Sequence, residues 1–247
     1  MTGSNRQDSE HTDGSTEGLA DGGAVYDLTH AVRSGMPIYP GDPPVSVAPH
    51  ATMADDGYRG SALSLGSHAG THVDAPAHTE PDGKTLDEID VAAFRFDAAV
   101  IDCTDVGVRT AITRDTIESA DPPIEADGLL LHTGWDDYWG TDRYRDHPYL
   151  SPSAAKWLAE RGYHVGLDTF GPDPTPPVET DDDGGGTETA AEAPGVPAHH
   201  ALLGADRLVI ENLRGLDRLP DRVTLQAFPL AIENGDGAPV RAVAVVE

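Results

Sequence analysis

Residues 67–78 read SHAGTHVDAPAH and hold four side chains able to bind a metal ion or transfer a proton. These side chains are His68, His72, Asp74 and His78. Pro76 forbids a regular helix interior, so the four groups cannot form one helical stripe. In an extended run His72 and Asp74 point to the same side, because the strand period is two. Imidazoles beside a carboxylate are a ligand set that suits a divalent ion such as zinc or manganese.

A metal ion among these groups would supply hydrolytic chemistry. It would lower the pKa of water from about 15.7 toward 7 and polarise a carbonyl group. We assign proton transfer to His78, because a histidine pKa near 6.5 suits both accepting a proton from water and donating one to a leaving nitrogen. The alternative is that His78 is a further metal ligand. A run of surface histidines in a loop is the structural alternative for the whole segment.

The segment HAGTHVDAPAH resembles the HxGTHxDxPxH signature of the cyclase-like metal-dependent hydrolases. That family includes bacterial kynurenine formamidases and isatin hydrolases. Further segments resemble family segments in the same order, and they span residues 27–45, 129–139, 165–173 and 199–213. The histidine signature is highly specific. The PGD sequence at residues 40–42 and the HTGW sequence at residues 132–135 would each be weak evidence alone. The resemblance covers nearly everything from about Val25 to the C-terminus.

The resemblance also implies a second group of metal ligands, His199 and Glu211, which gives a site for two divalent ions, zinc or manganese. The first ion would lie among His68, His72 and Asp74, and the second among Asp74, His199 and Glu211. The alternative for Glu211 is a surface acid at the end of the apolar run RLVI. His200 is the neighbouring alternative to His199, which the family spacing favours.

The activity implied by the resemblance is hydrolysis of an amide-type C–N bond, with N-formylkynurenine cleavage by arylformamidases as the nearest named reaction. The substrate is therefore a small molecule. Tyr39 matches a position that is typically a tryptophan contacting the substrate's ring in kynurenine formamidases. Opening of a cyclic amide such as isatin is the alternative reaction, and a non-catalytic module that binds a metal or ligand is the alternative class. Asp168, at a strand end, is either an orienter of a ligand histidine or a turn residue.

Composition excludes several other functions. The 247 residues include 16 basic and 43 acidic side chains, which gives a net charge of −27. Nucleic-acid binding needs clustered lysine and arginine, so this charge argues against it. It favours instead a protein that works at high salt, where self-repulsion is screened. No run has the length of a membrane-spanning helix, and the N-terminus does not resemble a signal peptide, so we expect a soluble cytoplasmic protein.

The elements that position these residues follow an α/β pattern. Continuous apolar runs at residues 97–103, 128–134 and 164–168 predict strands buried on both faces. Residues 113–120 and 151–162 predict helices between them, and each segment begins with a capping residue, Thr113 or Ser151. The resemblance implies the swivelling β/β/α cyclase-like fold with a mixed sheet, and a homo-oligomer, either dimer or tetramer.

The domain organisation predicted from composition is simple. Residues 1–23 are acidic and lack periodicity, which indicates a disordered tail, and residues 24–247 form a single cyclase-like hydrolase domain. Residues 172–197 are acidic and rich in glycine and proline. We interpret them as a solvated low-complexity insertion, with a functional lid as the alternative.

Overall fold

The computed structural model describes residues 15–17, 23–176 and 195–246. Within those residues the chain forms fourteen strands and three α-helices. The strands are β1 (Ser15–Glu17), β2 (Ala24–Asp27), β3 (Ser46–Ala51), β4 (Gly60–Ser64), β5 (His72–Asp74), β6 (Arg95–Asp102), β7 (Ala111–Ile112), β8 (Gly128–His132), β9 (Tyr149–Leu150), β10 (His164–Leu167), β11 (Val209–Glu211), β12 (Arg222–Gln226), β13 (Gly237–Pro239) and β14 (Val243–Val246). The helices are α1 (Arg114–Ser119), α2 (Pro152–Arg161) and α3 (Pro197–Leu203).

Ten of the described strands form one mixed sheet, in the order β1-β2-β14-β12-β6-β8-β10-β11-β5-β13. The strands β6, β8, β10 and β11 are parallel to their neighbours in that series. The other pairs in the sheet are antiparallel. The predicted α/β class with a mixed sheet is therefore confirmed.

The parallel strands at the centre are apolar on both faces, as their sequence predicts. Leu129 and Leu131 of β8 pack into one core together with Leu158 of α2 and Leu202 of α3. Leu130, which points the opposite way, packs into a second core on the other face of the sheet. Full burial of one such leucine contributes about 1.5–3 kcal/mol. The central strands are therefore anchored on both sides.

The connection between β13 and β14 shows that the sheet curls. These strands stand seven places apart in the strand order, yet β13 ends at Pro239 and β14 begins at Val243. Such a connection reaches about 14 Å, whereas seven strand spacings of a flat sheet would span about 34 Å. The sheet therefore bends, and the second core lies on one of its faces.

Helix α2 begins and ends where the sequence predicts. The Ser151 hydroxyl accepts a hydrogen bond from the Ala154 amide at 3.2 Å, and Pro152 occupies the first helical position. Gly162 ends the helix in the left-handed conformation, with φ at 87°. The predicted helix at residues 113–120 is also present as α1, with Thr113 as its cap. Among the described residues, no helix has both the length and the apolar character that crossing a bilayer requires.

Parts of the predicted tail and insertion lie outside the described residues, namely 1–14, 18–22 and 177–194. Strand β1, within the predicted tail, pairs with β2. The start of the predicted insertion needs a correction, because Asp173 and Thr175 are buried and the Pro172 carbonyl accepts a hydrogen bond from Leu150. Residues 172–175 therefore belong to the packed domain.

Strand β5 is the element that connects this architecture to the histidine motif. It lies between β11 and β13 and is antiparallel to both. In this register His72 is opposite Glu211, and Asp74 is opposite Gly237. Two segments about 140 residues apart in sequence are thereby placed side by side.

Candidate metal centre

Strand pairing brings two carboxylates and one imidazole onto one face of the sheet. The Nε2 atom of His72 lies 3.2 Å from Glu211 Oε2 and 3.2 Å from Asp74 Oδ1. His72 and Asp74 therefore share a face, as the strand period predicts. All three side chains are buried.

Two further imidazoles complete the cluster from outside β5. His68 reaches it through a turn in which Gly70 has a φ of 70°, and its Nδ1 lies 2.7 Å from Asp74 Oδ1. His199 projects from α3, and its Nε2 lies 3.0 Å from Glu211 Oε1 and 3.7 Å from Asp74 Oδ2. His200 faces the other way, toward Glu80, with its side chain 55% exposed. The structure thus brings His199, not His200, to the cluster.

Among the described residues three sets of donor atoms could hold an ion, and two of these sets share Asp74. Each set has its nitrogen and oxygen atoms within 4.8 Å of one another. The two sets that share Asp74 are His68, His72 and Asp74 on one side, and Asp74, His199 and Glu211 on the other. Spacing of this kind fits a pair of divalent ions bridged by one carboxylate.

The Asp74 carboxylate gives an independent indication that a cation fits here. Its Oδ2 atom is buried and has no hydrogen-bond partner among the described residues. A buried carboxylate oxygen without a donor is costly, so the site is arranged for a positive charge at that point. The nitrogen and carboxylate donors around it are those that zinc and manganese accept.

Outer hydrogen bonds fix the orientation of two of these imidazoles. The Nδ1 of His72 donates to the Gly70 carbonyl at 2.8 Å, and the Nδ1 of His199 donates to Asp173 Oδ2 at 2.7 Å. Each ring therefore turns its Nε2 toward the shared carboxylates, where the neutral form would offer a lone pair to a cation. Sequence reasoning missed Asp173, because this residue itself fell inside the predicted insertion at residues 172–197. Its position after a strand that resembles a family segment was the available signal.

The electrostatics of the cluster follow from burying carboxylates and imidazoles together. Burial lowers the pKa of His72, but Asp74 and Glu211 outweigh it and raise that pKa well above 6.5. Burial likewise opposes protonation of His199, but its hydrogen bonds to Asp173 and Glu211 raise the pKa to about 10. The imidazoles therefore take up protons where no metal ion neutralises the carboxylates.

A cavity of about 310 Å³ opens over the cluster. It is lined by Tyr39, Pro40, Asp42, His68, His72, His78, Phe170, Gly171, Asp173, Val196, His199, Glu211 and Asn212. Tyr39 and Phe170 form an edge-to-face pair with ring centroids 6.2 Å apart. Burial raises the pKa of Tyr39 to about 12, so its hydroxyl stays protonated.

His78 lies at the wall of this cavity, beside the cluster. Its ring centroid is 4.0 Å from that of His68 and 5.7 Å from that of His199, and its side chain is 32% exposed. Burial lowers the pKa of His78 below 6.5. The imidazole is therefore neutral at pH 7 and can accept a proton.

Gly171 allows the cavity wall to approach the cluster. A Cβ atom at this position would lie 2.7 Å from Glu211 Oε1 and 3.5 Å from His199 Cε1. Any side chain here would displace the Glu211 carboxylate, so the site requires glycine.

Asp168 is a turn residue and does not orient a ligand histidine. Its buried carboxylate accepts hydrogen bonds from the Thr133 amide at 3.0 Å and the Gly134 amide at 2.8 Å. Burial raises its pKa to about 7. It therefore stabilises the turn after β8, and of the two roles predicted for it the structural one is correct.

His147 is a buried histidine that lies near Phe170, one of the residues lining the cavity. Its Nδ1 donates to the Pro148 carbonyl at 2.7 Å, and its Nε2 accepts from the Thr175 hydroxyl at 2.8 Å. Its ring centroid lies 6.5 Å from that of Phe170. Burial lowers the pKa of His147 to about 4.

Comparison with known proteins gives consistent matches. The Cyclase family model matches residues 26–174. The chain is 30% identical to the kynurenine formamidase of Erythrobacter litoralis, covering 89% of this chain and 92% of that protein. It is 29% identical to the kynurenine formamidase of Salinibacter ruber, covering 89% of this chain and 96% of that protein.

Several solved structures are also similar to this chain over most of its length. An isatin hydrolase bound to the product analogue thioisatinate has a TM-score of 0.78 and 26% identity, covering 90% of this chain and 92% of that chain. Isatin hydrolase A from Ralstonia solanacearum has a TM-score of 0.77 and 27% identity, covering 92% of this chain and 93% of that chain. A third neighbour, described as a potential metal-dependent hydrolase with cyclase activity, has a TM-score of 0.71 and 26% identity, covering 91% of this chain and 98% of that chain.

We expect the burial of His147 to make folding sensitive to acid. The pKa of His147 is about 4 in the folded chain against 6.5 ordinarily, so the unfolded chain takes up a proton at a higher pH than the folded chain does. The contribution of the neutral imidazole to stability is therefore complete above pH 6.5 and is lost as pH falls toward 4. Between about pH 7.5 and about pH 4.5, we expect the metal-free protein to lose about 2–3 kcal/mol more unfolding free energy than His147→Gln loses. Urea unfolding at both pH values measures this difference. The exposed His50→Gln variant is the control, and equal losses in wild type and His147→Gln would contradict the assignment.

Proposed function

The chain belongs to the cyclase family, and on that premise we propose that it is a metal-dependent hydrolase of an amide-type C–N bond. The reaction we favour is that of an arylformamidase, in which N-formylkynurenine and water give kynurenine and formate. The observation that carries this proposal is the buried Asp74 carboxylate, which is shared by two sets of ligand atoms and has a partnerless oxygen. The likeness to two kynurenine formamidases over 89% of the chain supports the choice of reaction.

We assign the metal ligands as the sequence predicts. His68, His72 and Asp74 would hold one divalent ion, and Asp74, His199 and Glu211 would hold a second, each zinc or manganese. The proposal is supported by the elevated pKa values of His72 and His199, since protons at these nitrogens replace the positive charge that the carboxylates need. The outer hydrogen bonds of both rings aim their Nε2 atoms inward, as metal binding requires.

A bound divalent ion supplies a Lewis acid and lowers the pKa of water at the site. The chain's own contribution to proton transfer is His78, which is neutral at pH 7 and faces the cavity. His78 would accept the proton lost by the attacking water and return it to the nitrogen as the C–N bond breaks. The products are then a carboxylic acid and a free amine, with all atoms accounted for.

We assign the positioning of the substrate to the aromatic side chains that line the cavity. Tyr39 and Phe170, which line the same cavity as His78 and His199, would contact the aryl ring of the substrate. Their edge-to-face arrangement is one that aromatic pairs prefer. Tyr39 adds a hydroxyl donor at a position where kynurenine formamidases typically have tryptophan.

Opening of a cyclic amide is the second candidate reaction. Two solved structures similar to this chain are isatin hydrolases, one of them bound to thioisatinate. The same ligands and the same His78 would serve, because a lactam C–N bond is broken by the same attack. The product differs, since ring opening leaves the new carboxylate on the same molecule and releases no formate.

The proposed reaction is tested by assaying the zinc- or manganese-loaded protein against N-formylkynurenine and isatin in parallel. We expect formate release from the formamide as the larger activity. Ring opening of isatin without formamide cleavage would favour the second candidate. Failure to hydrolyse either compound, or a wider panel of amides and lactams, would contradict the proposal.

Two substitutions separate the roles of ligand and proton carrier. Asp74→Asn should lose bound metal and turnover together, because it removes the charge that both ions share. His78→Gln should keep its metal but lose about 100- to 10,000-fold in kcat, the range expected for a general acid–base group. Metal content by elemental analysis and steady-state kinetics measure these effects, with the exposed His50→Gln as control. Unchanged turnover in both variants would refute the assignment.

The net charge of −27 supports a further proposal, that the protein is adapted to high salt. Raising KCl from about 0.1 M to about 2 M shortens the Debye length from about 10 Å to below 3 Å and screens the self-repulsion. We expect the thermal midpoint to rise by at least about 5 °C, equivalent to roughly 1–2 kcal/mol for a chain of this size. Sucrose, which favours compact states without screening charge, is the control. Equal midpoints in low and high KCl would contradict the proposal.

The cytoplasmic location and the homo-oligomeric state stay predictions.

A further inference from the structure

The third imidazole of the cluster, His68, also has both ring nitrogens next to carboxylates. Its Nδ1 lies 2.7 Å from Asp74 Oδ1, inside the cluster. Its Nε2 lies 3.0 Å from Asp236 Oδ2, outside the cluster. Asp236 comes from the C-terminal part of the chain and belongs to neither of the ligand sets that share Asp74.

Strand pairing fixes the position of Asp236 relative to Asp74. Asp236 immediately precedes β13, in which Gly237 pairs with Asp74 of β5. The Ala75 amide donates to the Asp236 carbonyl at 2.9 Å, which extends this pairing by one residue. The carboxylate of Asp236 is also hydrogen-bonded by the side chain of Ser67. The backbone that carries Asp236 is therefore held by the strand that carries Asp74.

Gly237 lets this backbone approach the His68 ring closely. A Cβ atom on Gly237 would lie 2.5 Å from His68 Cε1 and 3.0 Å from His68 Nδ1. Only glycine leaves room for the imidazole against the strand. The ring is thus confined between the strand edge, Asp74 and Asp236.

The arrangement matches that of the other two imidazoles. The outer nitrogen of His72 donates to the Gly70 carbonyl, and the outer nitrogen of His199 donates to Asp173. A neutral imidazole has one N–H donor and one acceptor nitrogen, so an acceptor outside the cluster keeps the proton outside. The lone pair then points inward, where a metal ion can use it.

We propose that Asp236 is a positioning residue that keeps the proton of His68 on Nε2, so that the Nδ1 lone pair faces the ion beside Asp74. This inference rests on the proposed metal-dependent function. The same carboxylate also lies 3.5 Å from Nδ1 of His78. Asp236 therefore stands next to both a proposed ligand and the proposed proton carrier, although it is itself neither.

Three variants test this role by zinc affinity, measured by competition with a chromophoric chelator. Asp236→Ala should weaken binding of one zinc ion by about 10- to 100-fold, the usual effect of removing a group that orients a ligand histidine. Asp236→Asn should lose much less, because its amide oxygen still accepts from Nε2–H. Glu233→Gln removes the same charge from an exposed position in the same loop and should match wild type.

Two further measurements distinguish positioning from simple structural support. In the zinc-loaded protein, ¹⁵N NMR of the histidine rings should show His68 protonated on Nε2, and this signal should change in Asp236→Ala. Excess zinc should restore most of the kcat of that variant, since the ligands themselves are intact. Circular dichroism checks that each variant is folded.

The outcomes separate the two proposals. A wild-type protein that neither binds zinc nor hydrolyses an amide contradicts the proposed function. A wild-type protein that does both, with Asp236→Ala equal to it in zinc affinity and in the His68 signal, overturns only the positioning role. A third zinc ion in wild type that is lost in both Asp236→Ala and Asp236→Asn would also overturn it, because Asp236 would then be a ligand, together with His68 and His78.

Discussion

The Asp74 carboxylate is fully buried, and the arrangement of the surrounding residues depends on compensating its charge. A carboxylate in such a position is costly unless it is paired and hydrogen-bonded. His68 and His72 approach one oxygen, while the other has no partner among the described residues. Burial raises the pKa of Asp74, but the adjacent imidazoles outweigh this and hold it well below its usual value. Cations on both sides of this carboxylate give the most direct account of why it is tolerated.

The compensation has to come from the cluster itself. Among the described residues that line the cavity there is no lysine or arginine. The chain as a whole is strongly acidic, so its long-range field adds no positive potential. Imidazoles held in one orientation by outer acceptors therefore form the positive side of the site, whether through protons or through bound ions. The sheet serves this purpose because β11, β5 and β13 lie side by side and deliver Glu211, Asp74 and Asp236 to neighbouring positions.

Much of this site was predictable from the sequence. The rest was not predictable, and the reasons can be identified. The spacing of His72 and Asp74 predicts a shared strand face, because it depends only on the local period. The preference for His199 over His200 came from family spacing, and the structure places His199 against Glu211 and His200 against Glu80. Asp173 and Asp236 were missed because their roles depend on contacts with residues far away in sequence. Asp168 had two possible roles on sequence alone. In the structure its carboxylate accepts hydrogen bonds from the Thr133 and Gly134 amides, which gives it the role of a turn residue.

The central proposal is that two divalent ions would share Asp74, with their other ligands supplied by segments distant in sequence. The most direct measurement is an anomalous difference map from crystals of the zinc-loaded protein at neutral pH. The account predicts two peaks about 2.0–2.3 Å from ligand atoms of the two sets, both bonded to Asp74. A map with no peak near the Asp74 carboxylate, while zinc occupies other positions or none, would contradict the claim.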